Sequence, residues 1–212
     1  FCTQHIYGEP DFRPPKDVVR EVKALYENGA RYFRLGAQPD LFAYCAEDGK
    51  PNVDAIRKLY EGIRKVAPQL KVLHMDNGNP AFISSHADEC REIAKIIIKY
   101  HTSGDVVALG GETADPKVVK MNNLNSTPDD VLETVRLLNE VGARRGTNGL
   151  PELLPGLNFV CGLIGESKRT YELNYEFLRR ILDEGLMVRR INIRQVAPMK
   201  GTRMYSIGDK II

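Results

Sequence analysis

The chain has 212 residues, of which 42% are hydrophobic and 27% charged, so it can bury the core of one or two ordinary globular domains. A formal net charge of +2 argues neither for nor against a nucleic-acid partner. No apolar run reaches the roughly 18 residues of a membrane span. The first residues, Phe1-Cys2-Thr3-Gln4-His5, have neither a charged start nor an apolar signal core. Cysteines at 2, 45, 90 and 161 form no close pair, so a reducing cytoplasm without a disulfide framework is expected.

Residues 1–13 read as irregular. Pro14-Pro15 open a helix in which Val18, Val19, Val22, Leu25 and Tyr26 recur at helical spacing, and Gly29 closes it. Residues 31–36 read as a strand that ends in Ala37, Gln38, Pro39 and Asp40, and a loop runs on to Asn52. A helix follows over 53–66, with Ile56, Leu59, Tyr60, Ile63 and Val66 on one face. The next strand, 70–75, ends in Asp76, Asn77 and Asn79. Ser85 and Asp88 have the spacing of a capping box for a helix to about Tyr100.

The stretch Asp105-Val106-Val107-Ala108-Leu109-Gly110-Gly111-Glu112-Thr113 is the centre of the pattern. An apolar run of strand length suits a strand covered on both faces. Two glycines break it, and a carboxylate and a hydroxyl follow where α/β folds bind ligands. Thr127-Pro128-Asp129-Asp130 then starts a helix striped by Val131, Val135, Leu138 and Val141. A Gly/Pro-rich loop is expected over 146–156, and a fourth strand over 158–162 that ends in Leu163-Ile164-Gly165-Glu166-Ser167. A helix to Glu184 takes Tyr171, Tyr175, Leu178 and Leu182 as its inner face. The fifth strand, 188–196, runs into Ala197-Pro198-Met199-Lys200-Gly201-Thr202, and the last ten residues carry no signal.

Strands alternating with helices imply a parallel sheet with right-handed crossovers, either a barrel or an open doubly wound sheet. Strand ends then share one edge, where Gln38, His74, Asp76, Asn77, Glu112, Thr113, Glu166, Arg194 and Gln195 could converge on a ligand. Turn and cap preferences explain any one of these residues, but all five ends less well. No P-loop, G-x-S-x-G elbow, Rossmann glycine motif or zincin histidine pair is present. Cys2 follows an aromatic residue and leads into the first crossover, a position suited to the last thiolate of an iron–sulfur loop.

Taken together, these pieces resemble the radical S-adenosylmethionine (SAM) superfamily. Phe1-Cys2 looks like the tail of its C-x3-C-x-aromatic-C loop, and Leu35-Gly36-Ala37-Gln38 falls at its Gly-Gly-Glu-type stretch, with Gln38 in place of the acid. Gly111-Glu112-Thr113-Ala114-Asp115-Pro116 is similar to its fourth-strand GxES-x-D segment, and Gly162-Leu163-Ile164-Gly165-Glu166-Ser167 to its GLPGET segment. Residues 190–196, running on to Gly201-Thr202, resemble its sixth strand and turn. More narrowly, the chain is similar to an iron–sulfur oxidoreductase group, largely archaeal, whose members add a C-terminal helix-hairpin-helix domain that is absent here.

The resemblance implies an α/β fold, a partial (β/α)6 TIM-like barrel whose first strand is missing from this chain. Residues 1–212 would be a radical SAM core truncated at both ends, with one cluster cysteine of three. It implies a 4Fe-4S cluster and S-adenosyl-L-methionine as cofactors, and cleavage of SAM to a 5′-deoxyadenosyl radical that abstracts hydrogen from substrate. Cys2 would ligate iron, while Gly36, Ala37 and Gln38 hold the methionyl end. Glu112 and Thr113 would reach the ribose or carboxylate, and Gly162, Gly165, Arg194 and Gln195 the adenine. His74, Asp76 and Asn77 would touch substrate or SAM. The partners implied are an electron donor such as a ferredoxin or flavodoxin and an unknown substrate, with RNA one candidate and no membrane.

Plainer readings stand beside these. His5, His86 and His101 read as surface residues or helix caps, Cys45 and Cys90 as unreactive thiols, and Cys161 as a small core residue. Glu166 would favour its helix start, and the pairs Arg144-Arg145, Arg179-Arg180 and Arg189-Arg190 would be solvated faces. A cluster-free barrel aldolase or isomerase is one alternative, although Lys71 lies at the wrong strand edge for a Schiff base. A nucleic-acid-binding module using the arginine pairs is the other.

Overall fold

Successive residues of a strand face opposite sides of the sheet, so burial along each strand shows which side the helices cover. The computed structural model describes residues 2–8 and 10–207. Phe1 of the tail motif and the side chain of His5 lie outside what is described.

A short 3-10 turn, Gln4–Tyr7, lies within the stretch expected to be irregular. Helix α1 (Pro15–Glu27) starts on its prolines and leads to β1 (Tyr32–Leu35), which buries Phe33 and exposes Tyr32 and Arg34. Helix α2 (Val53–Val66) is capped by the Asn52 side chain, which accepts from the Ala55 N–H. Strand β2 (Val72–Met75) buries Leu73 and Met75, and β3 (Asn77–Gly78) follows after Asp76. Then come α3 (Pro80–Ser85), α4 (Ala87–Tyr100), β4 (Asp105–Glu112), α5 (Pro116–Met121) and α6 (Pro128–Gly142). The expected Thr127–Asp130 capping box closes the start of α6. Strand β5 (Leu153–Cys161), α7 (Lys168–Asp183), β6 (Arg190–Gln195) and α8 (Arg203–Ile207) complete the order.

Every ladder is parallel. β1 pairs with β2, and β3, β4, β5 and β6 pair in that order. Neighbours in sequence are therefore neighbours in space, the order of a (β/α) barrel and not of a doubly wound sheet, whose order reverses midway. β1 and β6 are not paired with each other, so no closed barrel forms among the described residues. The sheet is nevertheless curled: Tyr32 and Arg34 of β1 and Arg190 of β6 line one cavity on its concave side. Helices cover the convex side. There Phe33, Leu73, Met75, Val107, Leu109, Leu157 and Phe159 join Ile56, Tyr60, Ile63, Ile93, Ile97, Val135 and Leu138 in one core. No helix among the described residues is long and apolar enough to cross a membrane.

The seam between β2 and β4 has no ladder of its own. The Met75 N–H donates to the Asp105 carboxylate at 3.1 and 3.2 Å, and the Leu73 N–H to the Thr102 hydroxyl at 3.0 Å. Past the seam the Ala108 N–H donates to the Asp76 carbonyl at 2.8 Å, and β3 takes up normal pairing with β4. Asp105 is wholly buried. His101 Nδ1 lies 3.1 Å from its Oδ2, and His101 Nε2 lies 3.5 Å from Glu152 Oε2. His101 is thus a core residue between two carboxylates, correcting its reading as a surface or capping residue.

Other expectations change for local reasons. Ser85 does not cap α4: it ends the unanticipated α3, its hydroxyl donating back to the Ala81 carbonyl at 2.7 Å, while Asp88 pairs with Arg91. Strand β5 begins at Leu153, inside the stretch expected to be a loop. Pro155 is tolerated there because its carbonyl accepts from the Arg189 N–H, on the side where β6 has not yet begun. On α7, Tyr171, Tyr175 and Leu182 are more than half exposed, and Thr170, Phe177 and Ile181 form the buried face instead. Cys161 is half-buried at the end of β5, not within the core. The six paired arginines are exposed, as expected.

His101→Ala should lower stability by about 2 kcal/mol, because the buried Asp105 carboxylate loses one of its hydrogen-bond partners and the core loses a ring. A fall in the urea unfolding midpoint of that size is the expected result.

Candidate functional site

The C-terminal ends of the strands open into one cleft of ≈ 670 Å³. Its walls include Cys2 at the rim, Asn77 and Asn79 after β2, Gly110 and Glu112 of β4, and Asn158 of β5. The run 122–126 and the Thr202-Arg203 pair close the far side.

Glu112 is set by the backbone. A bulge between Gly110 and Glu112 interrupts the ladder with β5, and Glu112 sits at φ 50°, a left-handed conformation unusual for a residue with a side chain. Its carboxylate folds back over Gly110, where a Cβ would lie 2.9 Å from Glu112 Oε1. A side chain at 110 would therefore displace it. The Glu112 carboxylate has no hydrogen-bond partner among the described residues. Burial pushes its carboxyl up to about 7, against the opposing pull of the Arg194 guanidinium. Lower on the same face, the Asn192 amide donates to the Asn158 side chain at 2.9 Å.

On the β1–β2 side, Arg34 and Asp76 form an ion pair at 2.5 Å. Gly36 lies against it; a Cβ there would be 3.2 Å from Asp76 Oδ2. The Asn77 amide donates to the Gln38 carbonyl at 3.1 Å, tying the two strand ends together, and Ala37 has φ 60°. Asp40 is buried, and desolvation raises its carboxyl to about 7.

Several sequence candidates lie elsewhere. Thr113 is buried; its hydroxyl donates to Asn174 Oδ1 and accepts from the Asp115 N–H. Thr170 completes that structural network through Asp115. Glu166 accepts from the Gly162 and Leu163 N–H groups and from the Tyr171 hydroxyl, so it closes its own turn. Gly162 and Gly165 have φ of 91° and 86° in that turn and do not line the cleft. His74 lies in the lower cavity, where its Nε2 is 3.0 Å from the Thr102 carbonyl oxygen. Gln195 is exposed on β6. Cys90 is buried, which drives its thiol up to about 12, and burial also raises Cys45, in keeping with unreactive groups.

Sequence reasoning missed the wall formed by Asn122, Asn123, Asn125 and Ser126. The asparagine-rich run was the available signal, but amides of this kind also fill ordinary loops. The donor set of the cleft, with amides and one unpartnered carboxylate, suits a polar ligand with hydroxyl or amino groups. It does not by itself suit an iron–sulfur cluster: Cys2 is the one thiol on its wall, and no group of three or more metal-binding side chains occurs among the described residues.

A parallel, sequence-ordered (β/α) array with a polar cleft at the strand ends is the architecture of a ligand-binding α/β enzyme core. The chain belongs to the Radical SAM superfamily, whose family model matches residues 1–178. Members of that superfamily use SAM and a 4Fe-4S cluster, so SAM-dependent radical chemistry is the general activity to which membership points. An uncharacterized protein of Methanocaldococcus jannaschii is 54% identical over 95% of this chain and 38% of its own length. Another, of Archaeoglobus fulgidus, is 46% identical over 99% of this chain and 40% of its own. A tRNA-2-methylthio-N(6)-dimethylallyladenosine synthase of Syntrophotalea carbinolica is 25% identical over 85% of this chain and 38% of its own. The chain thus spans about two fifths of the length of these relatives.

Glu112 gives a pH signature. Its folded-state affinity for a proton exceeds that of the unfolded chain, so its contribution to stability is complete below about 4.5 and is lost as pH rises through about 7. Glu112→Gln should therefore gain stability relative to the parent chain between pH 5 and pH 8. Urea midpoints at the two pH values check this, and an unchanged difference would contradict the burial of the carboxylate.

Proposed function

We propose that this chain is the SAM-binding core of a radical SAM enzyme, with SAM in the cleft at the strand ends. The observation that carries the reading is that Cys2 and Glu112 line one cleft in a chain of this superfamily. When bound, a 4Fe-4S cluster supplies the electron that splits SAM into methionine and a 5′-deoxyadenosyl radical, which takes hydrogen from substrate. Cys2 would give one thiolate to that cluster, and the full-length protein the other two.

The chain's own residues bind and orient. Glu112, without an internal partner, would accept hydrogen bonds from the ribose hydroxyls, and Arg194 would keep it charged as it does so. Gly36, Ala37 and Gln38 would present backbone groups to the methionyl amino end, since Gln38 brings no carboxylate. Asn77 fixes that segment through the Gln38 carbonyl. The turn from Gly162 to Gly165, held shut by Glu166, and Gln195 lie off the cleft wall, so they would support the adenine side only by fixing the ends of β5 and β6. Thr113 would act through its turn, with its hydroxyl engaged by Asn174. A reduced ferredoxin or flavodoxin would supply the electron. RNA would be the first substrate class to assay, a choice supported by the likeness to a tRNA-2-methylthio-N(6)-dimethylallyladenosine synthase.

Anaerobic iron–sulfide reconstitution of the full-length protein, followed by a 5′-deoxyadenosine assay, tests the reading. Release of 5′-deoxyadenosine is expected with a strong reductant, and its loss in Cys2→Ala. Glu112→Ala should lower kcat/KM for SAM about tenfold or more, the scale of a lost hydrogen bond to a charged group. A reconstituted protein that never cleaves SAM would overturn the activity.

A further inference from the structure

The concave face of the sheet holds a second cavity, of ≈ 270 Å³, toward the opposite end of the strands. Tyr32 and Arg34 of β1, Val72 and His74 of β2, Val106 of β4 and Arg190 of β6 wall it. At about 3.3 Å per residue along β4, Val106 lies roughly 13 Å below Gly110 at the cleft. The space is smaller than the ~300–1,000 Å³ of pockets that enclose a whole ligand. It fits one end of a ligand, or a small ion.

The charges on this floor do not balance. Arg34 is paired with Asp76 at 2.5 Å. The Asp105 carboxylate is engaged by the Met75 and Val106 N–H groups and by His101. The Arg190 side chain makes no hydrogen bond and no ion pair with any described residue. Nor does its position look accidental. Gly156 stands opposite Arg190 in the β5–β6 ladder, and a Cβ on it would come within 3.0 Å of Arg190 Cγ and 3.1 Å of Arg190 Nε. The same Cβ would meet Val106 Cγ1 at 2.8 Å. The glycine leaves a groove across β5 along which the arginine side chain lies, and the exposed Arg190 borders the cavity.

We propose that this floor cavity binds a phosphate group, held by Arg190 with Arg34 as the second guanidinium, beside the exposed ring of Tyr32. A guanidinium without a counter-ion offers the planar, two-pronged donor pair that phosphate oxygens accept. Tyr32 gives an attached base or other flat ring a surface to lie on. The site is separate from the cleft and does not depend on the SAM reading of it. The phosphate could be inorganic phosphate or the 5′-phosphate of a nucleotide; the recognition is the same.

Calorimetric titration of the full-length protein with inorganic phosphate, AMP and adenosine tests this. Saturable binding of phosphate or AMP is expected, with adenosine far weaker. AMP binding tighter than phosphate identifies a nucleotide site, and equal affinity a site for the ion alone. Arg190→Gln should weaken binding at least tenfold and Arg190→Lys less so, both with an unchanged unfolding midpoint because the side chain is exposed. Gly156→Ala should also weaken it, with every charge retained. Saturating SAM should leave phosphate affinity unchanged. No saturable phosphate or AMP binding, full affinity in Arg190→Gln, or displacement by SAM would each overturn the floor site. None of these results bears on whether SAM is cleaved at the cleft.

Discussion

A buried carboxylate does the work of a missing ladder. Between β2 and β4 the main chains do not pair, and the Asp105 side chain takes the Met75 N–H that a neighbouring strand would otherwise accept. Without such a partner, that buried amide would bear the cost of an unmade hydrogen bond. The seam also sets register. A slip by one residue would turn every side chain of β1 and β2 to the other face. Phe33, Leu73 and Met75 would leave the core, and Asn77 would leave the cleft. His101 and Glu152 extend the same network to the ends of α4 and the start of β5, so the closed end of the sheet is organised around charge while the convex face is organised around apolar packing.

Two glutamates at the open end show how environment separates like residues. Glu166 accepts two backbone N–H bonds and a tyrosine hydroxyl, and its carboxylate holds a turn. Glu112 accepts none among the described residues and is raised to about 7. A carboxylate satisfied by its own loop has little to offer a ligand; one held over a glycine without partners has its full acceptor capacity available.

The alternation of strands and helices, the parallel sheet and the glycine-broken strand at 105–112 were all legible in the chain. Period and turn residues report local structure directly. Strand order was not legible, because helical crossovers serve barrels and open sheets alike. The face of α7 was misread for a definite reason. Tyr171, Tyr175, Leu178 and Leu182 make a plausible apolar stripe, whereas Thr170 and Asn174 are polar. The polar pair goes inward because Asp115 and the turn at Thr113 and Ala114 give it hydrogen bonds there, and a sequence shows residue types, not partners. In the site, Glu112 could be found from the glycines before it. Thr113 and Glu166 could not be told from ligand contacts, since short polar residues beside turns readily bond nearby backbone.

The seat of Glu112 over Gly110 has a consequence for how this strand can vary. Even a methyl group at position 110 would come within 2.9 Å of Glu112 Oε1, so the bare backbone and the acid above it can change only as a pair.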